Sequence, residues 1–247
     1  MKQRTIVVTM RIFLTMIFFL LIFSCSKQEV KSNHTANSNA TDSTQQKKFT
    51  LTTNQQKVLD GAKKCLEAKF SYDMTMGYYV CTYKDGENTG SRVFPGGDVA
   101  PDMGVCTDVI VRALRWGGVC DLQEEVYNDL KSSWGDYPMS RWQAKKPDPN
   151  IDQRRVPVLM VWFSKYWQEI SAEDYQPGDV VAWDMNGDGW GDHIGIVSDN
   201  FSDPTPTLPE GEGAARLKLI HNFPDPGYVA EEDVLHEWEI IGHYRVK

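Results

Sequence analysis

Helical periodicity comes first in this chain and strand periodicity last, and that order constrains the fold more than any single motif. Asn54 to Phe70 carries Val58, Ala62, Cys65 and Leu66 on one face, and Val105, Val109, Ile110, Ala113 and Leu114 recur at the same period. Leu122 to Leu130 reads as a third helix, and Val158 to Ile170 as a fourth, with Pro157 suited to its first turn. The turn Gln176-Pro177-Gly178-Asp179 then opens a series of short apolar runs: Val180–Trp183, Ile194–Ser198, Leu217–Asn222 and Glu239–Val246. Tyr78–Tyr83 is an earlier strand candidate. Helices followed by a run of strands predict an α+β domain with an antiparallel sheet. His236 and His243 fall in the expected last helix and last strand and read as structural.

One cysteine sits where this pattern changes. Pro95-Gly96-Gly97, Pro101 and Gly104 are turn residues, and Gly117-Gly118 is a helix stop, so Cys106 opens the helix between them. Backbone N–H groups and the helix dipole at that end favour a thiolate over a thiol. The plain alternative is a small buried cysteine that packs a helix start.

The flanks show how the domain is delivered. Lys2, Arg4 and Arg11 precede an apolar stretch, Ile12 to Phe23, too short to span a bilayer comfortably. Residues 1–25 are read as a targeting segment. Its end, Leu21-Ile22-Phe23-Ser24-Cys25, resembles a bacterial lipobox, which implies cleavage before Cys25 and lipid on its thiol. Residues 26–48 are almost wholly Ser, Asn, Thr, Gln and Lys, a composition that cannot offset its own ordering entropy and reads as a disordered tether. A single domain over 49–247 follows. Without Lys2, Arg4 and Arg11, the 26 basic residues fall to 23 against 34 acidic ones, a net charge of −11. That balance excludes nucleic acid and an anionic membrane surface as main partners.

An exported chain can form disulfides. With Cys25 lipidated and Cys106 reactive, Cys65, Cys81 and Cys120 remain, and Cys65–Cys81 is the favoured pair among three connectivities.

Two histidines occupy strand ends. His193 begins His193-Ile194-Gly195-Ile196-Val197, and His221 closes Leu219-Ile220-His221-Asn222. Neighbouring antiparallel strands could bring both imidazoles to Cys106, giving a nucleophile, a base and a group that orients the base. Asn222 is the alternative orienting group. A lone histidine is more often structural; the three residues are informative only together.

On these residues the chain resembles the NlpC-type, papain-like cell-wall cysteine peptidases: Pro95-Gly96-Gly97 ahead of a cysteine at a helix start, Pro177-Gly178-Asp179 opening a strand, His193-Ile194-Gly195-Ile196, and Ile220-His221. More closely, residues 55 to 247 resemble the bacterial domain of unknown function 1287 family. The matching segments are Gly104-Val105-Cys106-Thr107-Asp108, Asp121-Leu122-Gln123, Asn150-Ile151-Asp152, Arg154-Arg155-Val156-Pro157, His193 through Asp199, and Gly242-His243-Tyr244-Arg245. The resemblance implies a papain-like, NlpC-type fold with the cysteine helix packed on the antiparallel sheet. It also implies amide hydrolysis in cell-wall peptides, with Cys106 as nucleophile, His193 as base and His221 orienting it. No cofactor is required and a monomer is expected. The chain departs from the peptidases in having Val105-Cys106-Thr107 where they carry Asp-Cys-Ser. Phe94 also stands nearest the place of a tyrosine that can assist the oxyanion, and the Cys106 backbone N–H is a candidate replacement. Gln153 occupies a position where the closer family has histidine.

Arg154 and Arg155 are candidate substrate-binding residues, because a guanidinium clamps a carboxylate in two places; Asn222 joins them. The competing reading is a structural pair that holds Asp148 or Asp152. Trp134, Tyr137 and Trp142 form a groove wall or cover core. Asp184, Asn186, Asp188 and Asp192 follow the ligand spacing of a calcium loop, with Gly189 at the turn, but Gly195 replaces the closing glutamate. A structural calcium and a hairpin tip built on Asn-Gly and Asp-Gly turns are both open. Function stays open at this point between a lipid-anchored hydrolase and a non-catalytic envelope-binding module on the same fold. An acyltransferase would use the same thiolate, and a metal hydrolase built on Asp192, His193 and His221 fits zinc spacing poorly.

Overall fold

The computed structural model describes residues 49–75, 80–171, 173–202 and 215–247. The targeting segment with Cys25, the tether, and Tyr78 and Tyr79 of the expected early strand lie outside the described residues.

Helix α1 spans Thr53–Ala68 and begins on a reciprocal cap: the Thr52 hydroxyl accepts from the Gln55 N–H, and Gln55 Oε1 accepts from the Thr52 N–H. Three short strands follow, β1 at Ser71–Tyr72, β2 at Tyr83–Lys84 and β3 at Glu87–Asn88; β2 and β3 form a hairpin. Among the described residues of the strand expected at Tyr78–Tyr83, Val80 to Thr82 are not in a strand and Tyr83 is, continuing to Lys84. Strand β4, Met103–Gly104, pairs in parallel with β1 and leads into α2, Cys106–Trp116. Helix α3 covers Leu122–Ser133, capped by the Asp121 carboxylate, and α4 covers Val156–Tyr166 with a proline in its first turn. Strands β5 (Gln168–Glu169), β6 (Val180–Asp184), β7 (His193–Phe201), β8 (Leu217–Asn222), β9 (Val229–Glu232) and β10 (Glu239–Arg245) complete the chain.

These last six strands form one sheet in the order β5-β10-β6-β7-β8-β9, with every pair antiparallel. The fold class is mixed α and β with an antiparallel sheet, as the order of patterns predicts. One face meets the helices: Val180, Ala182, Ile194, Ile196 and Ile220 join Val58, Val109, Ile110, Ala113 and Leu114 in the main core. The other face is covered as well, by a smaller cluster of Val181, Trp183, Val197, Leu219 and Leu235. Each fully buried Leu, Ile or Val contributes roughly 1.5–3 kcal/mol relative to exposure. Among the described residues no helix is long and apolar enough to cross a membrane.

Helices α1 and α2 touch backbone to backbone. A side chain on Gly61 would begin 1.9 Å from the Ala113 carbonyl oxygen, and one on Gly117 would begin 2.1 Å from the Lys57 carbonyl oxygen.

Two expectations are corrected here, and one holds. Cys65, Cys81, Cys106 and Cys120 are all free thiols. The Cys65 thiol donates to the Val109 carbonyl across the α1–α2 contact, whereas Cys81 donates to the Asn150 carbonyl, so the two sulfurs serve different parts of the core. His236 lies in a turn and not in a helix, its ring edge-on to Tyr175. His243 is structural: its Nε2 lies 2.9 Å from Asp179, the acid that Arg245 also grips at the Gly178 turn.

Candidate active site

Cys106 is the first residue of α2, as the turn-to-helix transition predicts. The helix start is built by its own third residue. Asp108 accepts the Val105 N–H at 2.7 Å and is held by Arg154, Nε to Oδ1 at 2.8 Å and Nη2 to Oδ2 at 3.0 Å. Both charged side chains are 3% exposed. The Thr107 hydroxyl donates to the Arg154 carbonyl, which ties the same turn to the segment before α4. Arg154 is thus committed to the cysteine helix and not placed to clamp a substrate. Arg155 pairs with Asp152 at 3.0 Å and lies over the Trp142 ring, which is the structural alternative for that residue. Burial raises the Asp152 carboxyl to about 6.

The backbone N–H groups of Ile194, Thr107 and Cys106 itself favour the charged form of the Cys106 sulfur. They do not prevail. Burial, and after it the charge of Asp108, pushes the thiol up to about 12. The helix end alone would suggest a resting thiolate; the structure gives a resting thiol, because the sulfur is covered and an acid sits in the same first turn.

The two imidazoles are together. His193 Nε2 lies 2.8 Å from His221 Nδ1, and both residues are almost fully buried. Burial, and then His221, depresses His193 to about 3, while burial alone depresses His221 to about 4. Their rings occupy the sheet face away from the helices: His193 stacks on Trp183 at 5.5 Å and meets Phe223 and Trp238 edge-on. The sulfur instead reaches β7 on the helix side, at Ile194. Adjacent residues of one strand therefore carry the two halves of the site, an amide on the sulfur and an imidazole. Among the described residues no hydrogen bond joins the sulfur to either ring.

Two residues were not singled out from the sequence. Glu232 Oε2 lies 3.0 Å from His221 Nε2. Tyr72 lies near the sulfur: its hydroxyl is shifted upward by burial and then by the charge of Cys106, and its ring meets Phe223. The β1–β4 pairing places it there, opposite Gly104. Both residues sit in strands too short to show a period.

Asn222 is fully buried and bridges backbone: its Nδ2 approaches the Gly104 carbonyl at 3.3 Å and those of Phe70 and Ser71 at 3.5 Å. It braces the entry to Cys106 and neither orients His193 nor faces a substrate. Tyr137 lines a cavity of about 730 Å³ with Trp190, Met160 and Lys165, beside the loop that leads to His193.

The oxygens of Asp184, Asp188 and Asp192 lie within 4.8 Å of one another. Asp184 is already occupied. Its Oδ1 accepts from Asn186, Gly187 and Asp188, and its Oδ2 from Gly189 at 2.6 Å. Burial opposes the charge of Asp184, and these N–H groups outweigh it and lower its pKa. The loop's N–H groups converge on the Asp184 carboxylate, and the three carboxylates lie close enough together for one ion.

The family model described as Domain of unknown function (DUF1287) matches residues 61–246. The uncharacterized protein YijF of Escherichia coli (strain K12) is 39% identical over 193 residues, which is 76% of this chain and 80% of that protein. Among solved structures, the crystal structure of an N-acetylmuramoyl-L-alanine amidase from Bacteroides uniformis ATCC 8492 overlaps with a TM-score of 0.43 at 14% identity, covering 79% of this chain and 100% of the other.

Proposed function

The chain belongs to the DUF1287 family, and from that premise we propose that it is a cysteine hydrolase of NlpC type that cleaves an amide bond in cell-wall peptides. The observation that carries the reading is the Cys106 sulfur at the first turn of α2, near the start of the strand that bears a hydrogen-bonded histidine pair. Cys106 gives up its proton, carried by a water to His193, as the sulfur bonds to the carbonyl carbon and the carbonyl electrons move to oxygen. N–H groups at the α2 start and the Tyr72 hydroxyl stabilise that oxyanion. His193 then protonates the amine as the C–N bond breaks. Water, losing its proton to His193, releases the acid from the thioester and restores the thiol. General acid–base help of this kind contributes ~10²–10⁴ in rate.

The resting site is neutral, so the ion pair is made during the reaction and not before it. The sequence features of the amino terminus extend the reading: Cys25 carries lipid that anchors the exported chain to a bacterial envelope membrane, at its periplasmic side or the cell surface, and residues 26–48 tether the domain. A monomer needing no cofactor is part of the same proposal.

A non-catalytic envelope-binding module is the second reading, and the covered, protonated sulfur favours it. Incubating wild type and Cys106→Ala with peptidoglycan fragments separates the two. The hydrolase reading expects fragment cleavage by wild type and none by the variant, at unchanged melting temperature. Equal cleavage by both would remove Cys106 as nucleophile, and binding without cleavage by wild type would select the module.

A further inference from the structure

We infer that Glu232 sets the direction of the histidine pair and so leaves His193 Nδ1 as its open, proton-accepting nitrogen. The inference rests on the hydrolase reading for its last step only; the orientation itself follows from the geometry.

His221 stands opposite Ala230 in the β8–β9 pairing, and Glu232 is the diagonal neighbour on the same face. A long side chain reaches across such a diagonal, and the small Ala230 leaves it the room. The result is a line of three groups: Glu232 Oε2 to His221 Nε2 at 3.0 Å, then His221 Nδ1 to His193 Nε2 at 2.8 Å. An ionised carboxylate only accepts hydrogen bonds. His221 must then donate from Nε2, and a neutral imidazole that donates from one nitrogen accepts at the other. His221 Nδ1 therefore accepts from His193 Nε2–H. That leaves His193 Nδ1 unprotonated, and among the described residues no hydrogen-bond partner occupies it. One acceptor at the far end thus decides which end of the base is open. When His193 takes a proton, the same carboxylate stabilises the positive charge through His221.

The line also separates this arrangement from a chelate. Its two contacts use both nitrogens of His221, one on each side of the ring, so Glu232, His221 and His193 do not converge on a point.

Glu232 is a positioning residue, and its role is read from tautomers. Long-range proton–nitrogen NMR correlation of the full chain labelled at histidine is expected to show His193 and His221 each as the Nε2–H form at neutral pH. Glu232→Ala should lose that single form at both rings, and Glu232→Gln, whose amide can accept or donate, should give a mixture. Cleavage by Glu232→Ala, in the fragment assay, should fall about tenfold or more, a part of the ~10²–10⁴ that general acid–base catalysis contributes. A wild-type His221 protonated at Nδ1 would overturn the inference even if the variants fail to fold, and so would a Glu232→Ala protein with wild-type tautomers. The tautomers can equally be read in Cys106→Ala, so failure of the nucleophile assignment leaves this measurement intact.

Discussion

His193 Nε2 and His221 Nδ1 share one proton position at 2.8 Å inside a wall of aromatic rings formed by Trp183, Phe223 and Trp238. Burial holds both imidazoles neutral, at about 3 and about 4 against an ordinary value near 6.5.

Acid stability follows with a definite sign. Below pH ~6.5 the unfolded chain takes up protons at these rings and the folded chain does not, so their contribution is full above that pH and shrinks on acidification towards pH ~3–4. Each ring adds a slope of up to about 1.4 kcal/mol per pH unit inside the window. Urea midpoints at pH 7, 5 and 4 should fall, and His193→Phe should show a shallower fall than wild type. Identical slopes in the two proteins would contradict the buried neutral pair.

Cys106 should be a slow thiol at rest. With its pKa pushed up to about 12, little thiolate exists at neutral pH, so iodoacetamide at pH 7 should modify it more slowly than free cysteine. Mass spectrometry of timed samples checks this. Rapid, selective labelling at Cys106 would mean a preformed ion pair with His193.

Arg154→Met should be strongly destabilising. It leaves the Asp108 carboxylate buried without its guanidinium, a change that costs about 3–5 kcal/mol when one partner of a buried pair is removed. Thermal melting of the variant measures it. A loss below about 1 kcal/mol, on the scale of exposed ion pairs, would show the pair to be dispensable.

Gly61→Ala should lower the melting temperature by several degrees, since the new methyl would start 1.9 Å from the Ala113 carbonyl and neither backbone can yield locally. Gly135→Ala, where nothing lies within 4 Å, serves as the control.

Asp184→Ala should loosen the loop before His193 and lower the melting temperature, by removing the two oxygens that accept four N–H groups. Wild type should melt at the same temperature with millimolar calcium or a chelator. A calcium-dependent rise, with heat in a calorimetric titration, would restore a bound ion.

The strongly patterned elements were legible. The periodic run after Gly104 put Cys106 at a helix start, and the apolar runs after Gly178 gave β6, β7, β8 and β10 within a few residues. Other features depend on neighbours that no local pattern encodes. Residues 193–198 of β7 are buried on both faces, so alternation could not tell that His193 points away from the helix that carries the sulfur. The thiol's protonation depends on what covers Cys106 and on where Asp108 points. Arg154 looked like a ligand clamp because arginine is chosen for carboxylates, and the carboxylate it found is internal. Glu232 and Tyr72 lie in strands of four and two residues, where a period cannot be read.

The two glycines between α1 and α2 reach further than their own neighbourhood. An eleven-residue helix is a rod about 16 Å long, and here it is bolted near its rear, at Ala113 and Gly117, with the reactive atom at the muzzle. A slight tilt at that mount swings the far tip through a larger arc. Aim at the sulfur is thus governed from the opposite end of the rod, by two positions where evolution could add nothing larger than hydrogen.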